Sequence, residues 1–187
     1  MLDRCLARLD ALGATLAVTA DHGMNAKHDA RGRPNVIYLQ SLLDSWLGED
    51  HARVILPITD PYVVHHGALG GFALVHLGPD TNAAQAVERL EAIDGIMAVL
   101  PRQIACNRFA LPPDRQGDLI VLANKDWTLG TSPDRHDLTQ LKEPLRSHGG
   151  ITEQRVPLIL NRPCENLPDA VSLRNFDAFH LALNLAV

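Results

Sequence analysis

The sequence predicts an α/β protein with a mostly parallel central sheet flanked by helices. Short apolar runs that suit buried strands occur at Thr15–Ala20, Asp118–Ala123 and Val156–Leu160. Other segments carry apolar residues at helical spacing. The predicted order is helix, strand, helix, strand, insertion, strand, strand, helix, and this order is typical of an α/β core.

Residues 1–53 are expected to form the first part of this core. An apolar stripe predicts an opening helix that stops at Gly13 and carries Leu2, Cys5, Leu6, Leu9 and Leu12. The strand Thr15–Ala20 should follow and end at Asp21. A second helix is predicted from Pro34, with its stripe between Val36 and Leu47 and its stop at Gly48.

Residues 54–112 are expected to form a small α+β cap inserted into the core, and such insertions commonly cover a site. Its predicted elements are a strand at Val54–Ile58, a hairpin of Tyr62–His66 with Phe72–Leu77, a helix capped by Asp80 or Thr81, and a strand at Ile96–Leu100. Residues 113–187 should complete the core and end in a helix that carries Phe176, Phe179 and Leu183.

Composition excludes several classes of protein. Hydrophobic residues make up 46% and charged residues 21% of the chain, as in soluble globular proteins. A formal charge of -5 without a basic patch argues against nucleic-acid binding. The apolar runs are far shorter than the ~20 residues of a membrane span, and Asp3 and Arg4 interrupt any signal peptide. Three widely spaced cysteines argue against a disulfide framework and favour the cytoplasm.

Asp21 and His22 directly follow a predicted core strand and precede Gly23. In open α/β sheets ligands bind beyond the carboxyl ends of strands, and carboxylate and imidazole are ligands for zinc or manganese. Both side chains could reach one metal only if the backbone leaves the pleat, which Gly23 allows. The competing interpretation is a helix cap or an ordinary loop pair.

His148 lies on a glycine-rich turn, Ser147-His148-Gly149-Gly150, and is a second candidate metal ligand. The competing interpretation is a surface loop histidine. His65 and His66 resemble a metal pair, but neighbouring side chains of a strand face opposite ways. The remaining histidines without carboxylate or glycine context are interpreted as structural: His51, His76, His136 and His180.

Three longer segments together resemble phosphonoacetate hydrolase, a family of the alkaline phosphatase and nucleotide pyrophosphatase superfamily. They are Thr19-Ala-Asp-His-Gly-Met-Asn-Ala-Lys-His28, Asp114-Arg-Gln-Gly-Asp118 and Leu145-Arg-Ser-His-Gly-Gly-Ile-Thr-Glu-Gln-Arg-Val-Pro157. The Asp-His-Gly-Met element marks the superfamily. Its extension Asn25-Ala-Lys-His28 and the Arg-Ser-His-Gly-Gly-Ile-Thr-Glu-Gln run are more specific.

The resemblance implies an alkaline phosphatase-like core and a di-zinc hydrolase that cleaves the carbon–phosphorus bond of phosphonoacetate to acetate and phosphate. It implies that Asp21 and His22 bind one zinc and that His148 binds the other, with Mn²⁺ or Fe²⁺ as alternative metals. Two metals would clamp the phosphonate oxygens and lower the pKa of a Thr hydroxyl and then of water.

Other parts of the family pattern are missing from this sequence. No Asp-x-x-x-His motif precedes Asp21, because Ala7 and Ala14 stand four residues after Asp3 and Asp10. The nucleophilic Thr and an earlier Asp of the family also have no counterpart. We therefore expect a C-terminal portion of the fold with an incomplete core, no catalytic nucleophile, and no activity when the chain is alone.

Lys27, His28 and Arg146 are candidate substrate-binding residues, because a phosphonate with a carboxylate needs positive neighbours. Each has a structural alternative. Lys27 could be a solvated loop lysine, His28 could orient Asp21, and Arg146 could pair with Glu153.

Two other functions compete with phosphonoacetate hydrolysis. One is a related phosphodiesterase or nucleotide pyrophosphatase, which would share Asp21, His22 and His148. The other is a non-catalytic half-domain that acts as an interaction module. The expected partners are a small phosphonate and a second copy of the chain in a homodimer, with no nucleic acid and no membrane.

Overall fold

The computed structural model describes residues 1–57, 69–167 and 171–187. The chain divides into two compact units. The terminal unit comprises Met1–Gly23 and Gln154–Val187, and the central unit comprises Met24–Glu153.

The α-helices of the described residues are α1 (Leu2–Ala11), α2 (Leu39–Leu47), α3 (Ala83–Glu91), α4 (Arg102–Phe109) and α5 (Asp177–His180), and a π-helical turn at Leu181–Leu185 continues α5. Short 3-10 turns lie at Pro113–Arg115, Pro133–Arg135, Leu138–Gln140 and Ile151–Glu153. The strands are β1 (Ala17–Thr19), β2 (Asn25–Ala26), β3 (Val36–Tyr38), β4 (Ala52–Ile55), β5 (Phe72–Leu77), β6 (Ile96–Pro101), β7 (Leu119–Ala123), β8 (Thr128–Gly130), β9 (Arg146–Ser147) and β10 (Leu158–Leu160).

A four-stranded antiparallel sheet in the order β4-β5-β7-β6 carries the core of the central unit. Every residue of β7 is buried, and successive side chains of a strand face opposite sides of the sheet. Leu119 and Val121 therefore pack in one apolar cluster with residues of α2 and α3. Ile120 and Leu122 pack on the other face with Ala105 of α4. The sheet thus has a helix-covered core on both faces.

Two short strand pairs complete the central unit. β3 pairs in parallel with β8, and β2 pairs antiparallel with β9. The second pair sets Asn25 opposite Ser147 and Ala26 opposite Arg146. This pairing brings the segment that begins at Met24 beside the turn that contains His148.

The terminal unit is built around the antiparallel pair of β1 with β10. Asn161 fixes its end, because the side-chain oxygen accepts from Leu16 N at 2.7 Å and the side-chain nitrogen donates to Ala14 O at 2.9 Å. No residue of α1 is buried. Phe179 and Leu183 near the carboxyl terminus are 77% and 80% exposed. The unit therefore presents apolar side chains to solvent.

The α/β class agrees with the sequence-based prediction. The sheet was predicted to be mostly parallel, but most of the described strand pairs are antiparallel. Among the described strands, β3·β8 is the one parallel pair, and the other pairs are antiparallel. The buried, non-alternating sequence of β7 suggested a parallel strand. Its burial comes instead from helices on both faces of an antiparallel sheet.

The expected boundaries of a cap at residues 54–112 cross this sheet. β4 begins at Ala52, and β5 pairs with β7, which lies beyond residue 112. The division into residues 1–53, 54–112 and 113–187 stays a prediction. In the expected hairpin, Phe72–Leu77 is a strand, whereas Tyr62–His66 lies outside the described residues.

The expected helix start at Pro34 is wrong. Val36–Tyr38 forms β3, and α2 begins at Leu39. Val, Ile and Tyr favour strands, and pairing with β8 satisfies their backbone groups. The helix N-cap expected at Asp80 or Thr81 is Asn82, whose side chain accepts from Gln85 N. In the described parts of the chain, no helix combines the length and apolar character that a membrane crossing requires.

Candidate functional site

Asp21 and His22 lie just beyond the carboxyl end of β1 in the terminal unit. The Asp21 side chain is 86% exposed and that of His22 is 37% exposed. His22 N donates to Asp21 Oδ1 at 3.0 Å, so the Asp21 carboxylate points along the chain towards His22. The backbone has left the strand here, and both side chains reach the same region.

The facing atoms of these two side chains have the separation of two ligands on one metal. Asp21 Oδ2 lies 3.5 Å from His22 Nε2. Two ligands about 2.1 Å from a tetrahedral zinc are about 3.4 Å apart. His22 Nδ1 lies 2.9 Å from Gly23 O, which is an acceptor, so Nδ1 is the donor in this contact and Nε2 of a neutral ring carries the lone pair. A lone pair facing a carboxylate at this distance suits a bridging metal cation.

This pair fits part of a metal site and does not complete one. Within residues 1–57, 69–167 and 171–187, no group of three or more His, Cys, Asp or Glu side chains is placed to hold a metal ion. Catalytic zinc sites commonly use three protein ligands. The donor set is therefore chemically suitable but smaller than a working centre needs.

His148 lies in the central unit, on the turn that follows β9. Its carbonyl oxygen accepts from Gly71 N at 2.8 Å, which ties the turn to the start of β5. A Cβ on Gly71 would lie 2.8 Å from Gly150 N, closer than real Cβ contacts. Glycine at position 71 therefore allows the His148 turn to lie directly against the sheet.

Glu153 anchors the other side of the same turn. Its side chain is 1% exposed, and Oε2 accepts from Gly150 N at 2.7 Å. Oε1 accepts from Lys27 Nζ at 2.9 Å, from Asn25 Nδ2 at 2.5 Å and from Thr152 Oγ1 at 2.8 Å. The sequence did not predict this network. The signal available was Glu153 within the specific run after His148, but nothing local paired it with Lys27.

The electrostatics of Glu153 favour its charged form. Burial, the largest single effect, raises the pKa of the carboxyl, but hydrogen bonds from Lys27, Asn25 and Thr152 together outweigh it. The pKa of Glu153 consequently lies below its usual value. The charge is compensated by a partner that is itself buried, since the Lys27 side chain is 1% exposed.

The structure contradicts the structural alternatives considered for Lys27 and Arg146. Lys27 is not a solvated loop lysine, because its ammonium is buried and donates to Glu153 and to Lys125 O. Direct substrate contact would require breaking these bonds. Arg146 does not pair with Glu153. It is exposed and donates to Met24 O at 3.4 Å.

His28 is partly buried, and its Nδ1 lies 2.8 Å from Asp29 O. The six predicted site residues divide between the units, with Asp21 and His22 in the terminal unit and Lys27, His28, Arg146 and His148 in the central unit. The structure brings Asp21 to His22, and it brings Lys27 to the turn of His148 through Glu153. His65 and His66 lie outside the described residues.

The sequence matches the model of the type I phosphodiesterase / nucleotide pyrophosphatase family over residues 1–151. The chain belongs to this family. Within the family, the chain is similar to a phosphonoacetate hydrolase of Penicillium oxalicum, with 60% identity over 30 residues, which are 16% of this chain and 42% of that protein.

Solved structures extend the similarity over nearly the whole chain. Phosphonoacetate hydrolase from Sinorhizobium meliloti 1021, in complex with phosphonoformate, is 60% identical with a TM-score of 0.89. The match covers 96% of this chain and 44% of that one. The same enzyme in complex with phosphonoacetate gives a TM-score of 0.88. This chain therefore spans less than half the length of the solved relatives it matches.

Murine ectonucleotide pyrophosphatase/phosphodiesterase 5 shares the fold at 18% identity and a TM-score of 0.55, over 87% of this chain and 39% of that one. The alkaline phosphatase-like α/β fold expected for this family member is confirmed by these matches. The resemblance to phosphonoacetate hydrolase is confirmed as well.

Proposed function

We propose that this chain forms part of a metal-dependent hydrolase that cleaves the carbon–phosphorus bond of phosphonoacetate to acetate and phosphate. The observation that carries the proposal is the 60% identity with phosphonoacetate hydrolase over 96% of the chain. The two solved complexes of that enzyme hold phosphonoformate and phosphonoacetate. A phosphonate with a neighbouring carboxylate is therefore the proposed substrate class.

The proposed metal ligands are Asp21 and His22 for one ion and His148 for another, with zinc as the proposed ion and Mn²⁺ or Fe²⁺ as alternatives. Support comes from the 3.5 Å separation of Asp21 Oδ2 and His22 Nε2. When bound, such ions supply Lewis acidity and an activated oxygen nucleophile. Asp21 and His22 hold their donor atoms together, and the bond from His22 Nδ1 to Gly23 O orients the ring.

Arg146 and His28 are the proposed substrate contacts. The exposed guanidinium of Arg146 can present several N–H donors to a phosphonate or carboxylate. Lys27 was expected to bind substrate directly, but its ammonium is committed to Glu153. We propose that Lys27 acts through the turn of His148 instead.

We further propose that the chain alone does not turn over substrate. It spans 44% of the length of the solved enzyme, and its described donors do not form a group of three. A second copy of the chain is the proposed partner, because apolar residues of the terminal unit are exposed. All three cysteines are free, which supports the cytoplasm as the proposed compartment.

A chimera tests the proposed activity. Residues 1–187 replace the matching segment of the Sinorhizobium meliloti phosphonoacetate hydrolase, and phosphate release from phosphonoacetate is measured beside the isolated chain. We expect turnover by the chimera, none by the isolated chain, and loss of turnover in Asp21→Asn and His148→Asn chimeras. Turnover by the isolated chain would overturn the proposed incompleteness, and a folded, metal-loaded but inactive chimera would overturn the proposed reaction.

The second candidate function is hydrolysis of a nucleotide phosphodiester, which the family match over residues 1–151 favours. The same chimera would then release nitrophenol from a nitrophenyl nucleotide ester faster than phosphate from phosphonoacetate. If neither substrate reacts and the chain still binds other proteins, the remaining candidate is a non-catalytic half-domain.

A further inference from the structure

Glu153 joins two distant stretches of the central unit, residues 25–27 and residues 150–153, through one carboxylate. It receives Lys27 and Asn25 from the β2 segment, Thr152 from its own turn, and Gly150 from the turn of His148. The two charged side chains of the network, Lys27 and Glu153, are each 1% exposed. A buried, fully bonded network of this kind rigidifies the elements that it joins.

The division of bonds between the two carboxylate oxygens requires an anion. Oε1 accepts three donors and Oε2 accepts the Gly150 N–H. A glutamine at position 153 has one acceptor oxygen and one NH₂ group. Its NH₂ group must therefore face donors in either orientation. Three donors, one of them the Lys27 ammonium, face Oε1, so we expect the amide oxygen at that place. The NH₂ group then faces Gly150 N and the bond to Gly150 is lost.

The turn of His148 is held on two sides. Gly150 N donates to Glu153, and two residues earlier His148 O accepts from Gly71 N at 2.8 Å. The contact of Gly71 with Gly150 leaves no room for a Cβ, so the turn lies against β5. Loss of the Glu153 anchor would release the turn at Gly150, while the pairing of Ser147 with Asn25 and the contact with β5 would still hold its other end.

We propose that Glu153, with Lys27 as its counter-charge, is the positioning residue that holds the His148 turn in place. The role in metal binding that follows from this rests on the proposed function, in which His148 is a metal ligand. Glu153 bonds the turn at Gly150 N, so it acts on His148 through the backbone of the turn.

The test uses the full chain and amide hydrogen exchange. The Gly71 amide is the reporter, because it bonds His148 O without touching Glu153. In Glu153→Gln we expect its exchange to rise about tenfold, the effect of losing one net hydrogen bond. The control is Asp118→Asn, the same charge change at a carboxylate that bonds Arg102 and Leu77 N. It should raise exchange at Leu77 and leave Gly71 unchanged.

A double variant separates positioning from general stability. Lys27→Met with Glu153→Met removes both buried charges, and such replacements often restore stability. Methionine cannot accept from Gly150 N, so we expect fast exchange at Gly71 even when the Val121 amide of the core strand and urea unfolding match the wild type. If the exchange rates of the Gly71 and Val121 amides change by the same factor in every variant, the proposal is overturned.

A zinc titration of the chimera with the Sinorhizobium meliloti enzyme, followed by the imidazole NMR signals of His148, separates this proposal from the proposed function. If wild-type His148 responds to Zn²⁺ and Glu153→Gln responds more weakly, both are supported. If wild-type His148 does not respond, its role as a metal ligand fails, while exchange at Gly71 still decides whether Glu153 holds the turn. An equal zinc response in both proteins, with unchanged Gly71 exchange, would overturn the positioning role alone.

Discussion

The ammonium of Lys27 lies 2.9 Å from Oε1 of Glu153, and each side chain is 1% exposed. Isolated buried charges are costly, so each of these groups depends on the other. The pair connects the segment after Asp21-His22 to the segment after His148. It makes the two most specific stretches of the family motif parts of one structural feature.

Removal of one partner should destabilise the chain strongly. Lys27→Met leaves an uncompensated buried carboxylate, and we expect the free energy of unfolding to fall by about 3–5 kcal/mol. Arg102→Met is the control, because its ion pair with Asp118 has side chains 42% and 41% exposed. Its loss should cost about 1 kcal/mol or less. Urea denaturation measures both, and equal losses would contradict the prediction.

Stability should depend on Glu153 at acid pH. The pKa of Glu153 is lowered in the fold from an ordinary value of 4.5, so its stabilising contribution is complete above that pH. It is lost as the pH falls through the lower folded pKa, because protonation removes the charge that Lys27 needs. Urea midpoints measured from pH 7 to pH 3 should fall more steeply in the wild type than in Glu153→Gln. If the urea midpoints of the two proteins fall equally with pH, Glu153 is not the source of the acid sensitivity.

Gly71→Ala should disturb the His148 turn. The added Cβ would lie 2.8 Å from Gly150 N and 2.9 Å from Gly150 Cα, so backbone must move. We expect a cost of about 1–3 kcal/mol in unfolding free energy and faster amide exchange at Gly150. Gly13→Asn is the control, because position 13 faces open space and Asn tolerates its positive φ. A Gly71→Ala protein as stable as this control would show that the turn adapts freely.

Asp21 and His22 should control metal content. In the chimera described above, we expect Asp21→Asn and His22→Asn each to lower bound zinc and to reduce phosphonoacetate turnover by at least about 100-fold. His76→Asn on β5 is the matched control and should change neither quantity. Metal analysis by mass spectrometry together with phosphate release provides the measurement. Full zinc content in both site variants would exclude these residues as ligands.

The exposed apolar face of α1 should promote self-association. Leu9 is 45% exposed and Leu12, just beyond the helix, is 83% exposed. Leu9→Lys with Leu12→Lys should raise the dissociation constant of the proposed dimer by about tenfold or more, since each leucine would bury apolar surface on association. Ile104→Lys on α4, 57% exposed, is the control. Sedimentation velocity over a concentration series measures the effect, and unchanged association would point to another surface.

Local pattern predicted the elements whose burial is one-sided or complete. The run Leu119–Ala123 is apolar throughout and forms the buried strand β7. Helix α4 was missed, because Arg102–Phe109 mixes charged and apolar residues without a clear stripe. The helix start at Pro34 was misplaced, because the partner of β3 lies about ninety residues further along the chain at Thr128–Gly130. Tertiary pairing overrode the local signal there.

In the candidate site too, contacts between neighbouring residues could be predicted from the sequence and long-range contacts could not. Asp21 and His22 are adjacent, so their shared direction could be inferred from the strand end and Gly23. The bond between Lys27 and Glu153 joins residues 126 positions apart, and no periodicity relates them. The sequence suggested an exposed cation at position 27, since lysine is almost never fully buried unless it is paired.

The separation of Lys27 and Glu153 also sets an order of assembly. Their contact closes a loop of 126 residues. It therefore contributes no stability until most of the central unit has folded. After Lys27 the ribosome needs roughly 6–25 s to add the 126 residues that end with Glu153. Until Glu153 is made, the Lys27 ammonium lacks its carboxylate partner, and the turn of His148 is completed just before that point. The turn that carries His148 is therefore among the last parts of the unit to take shape.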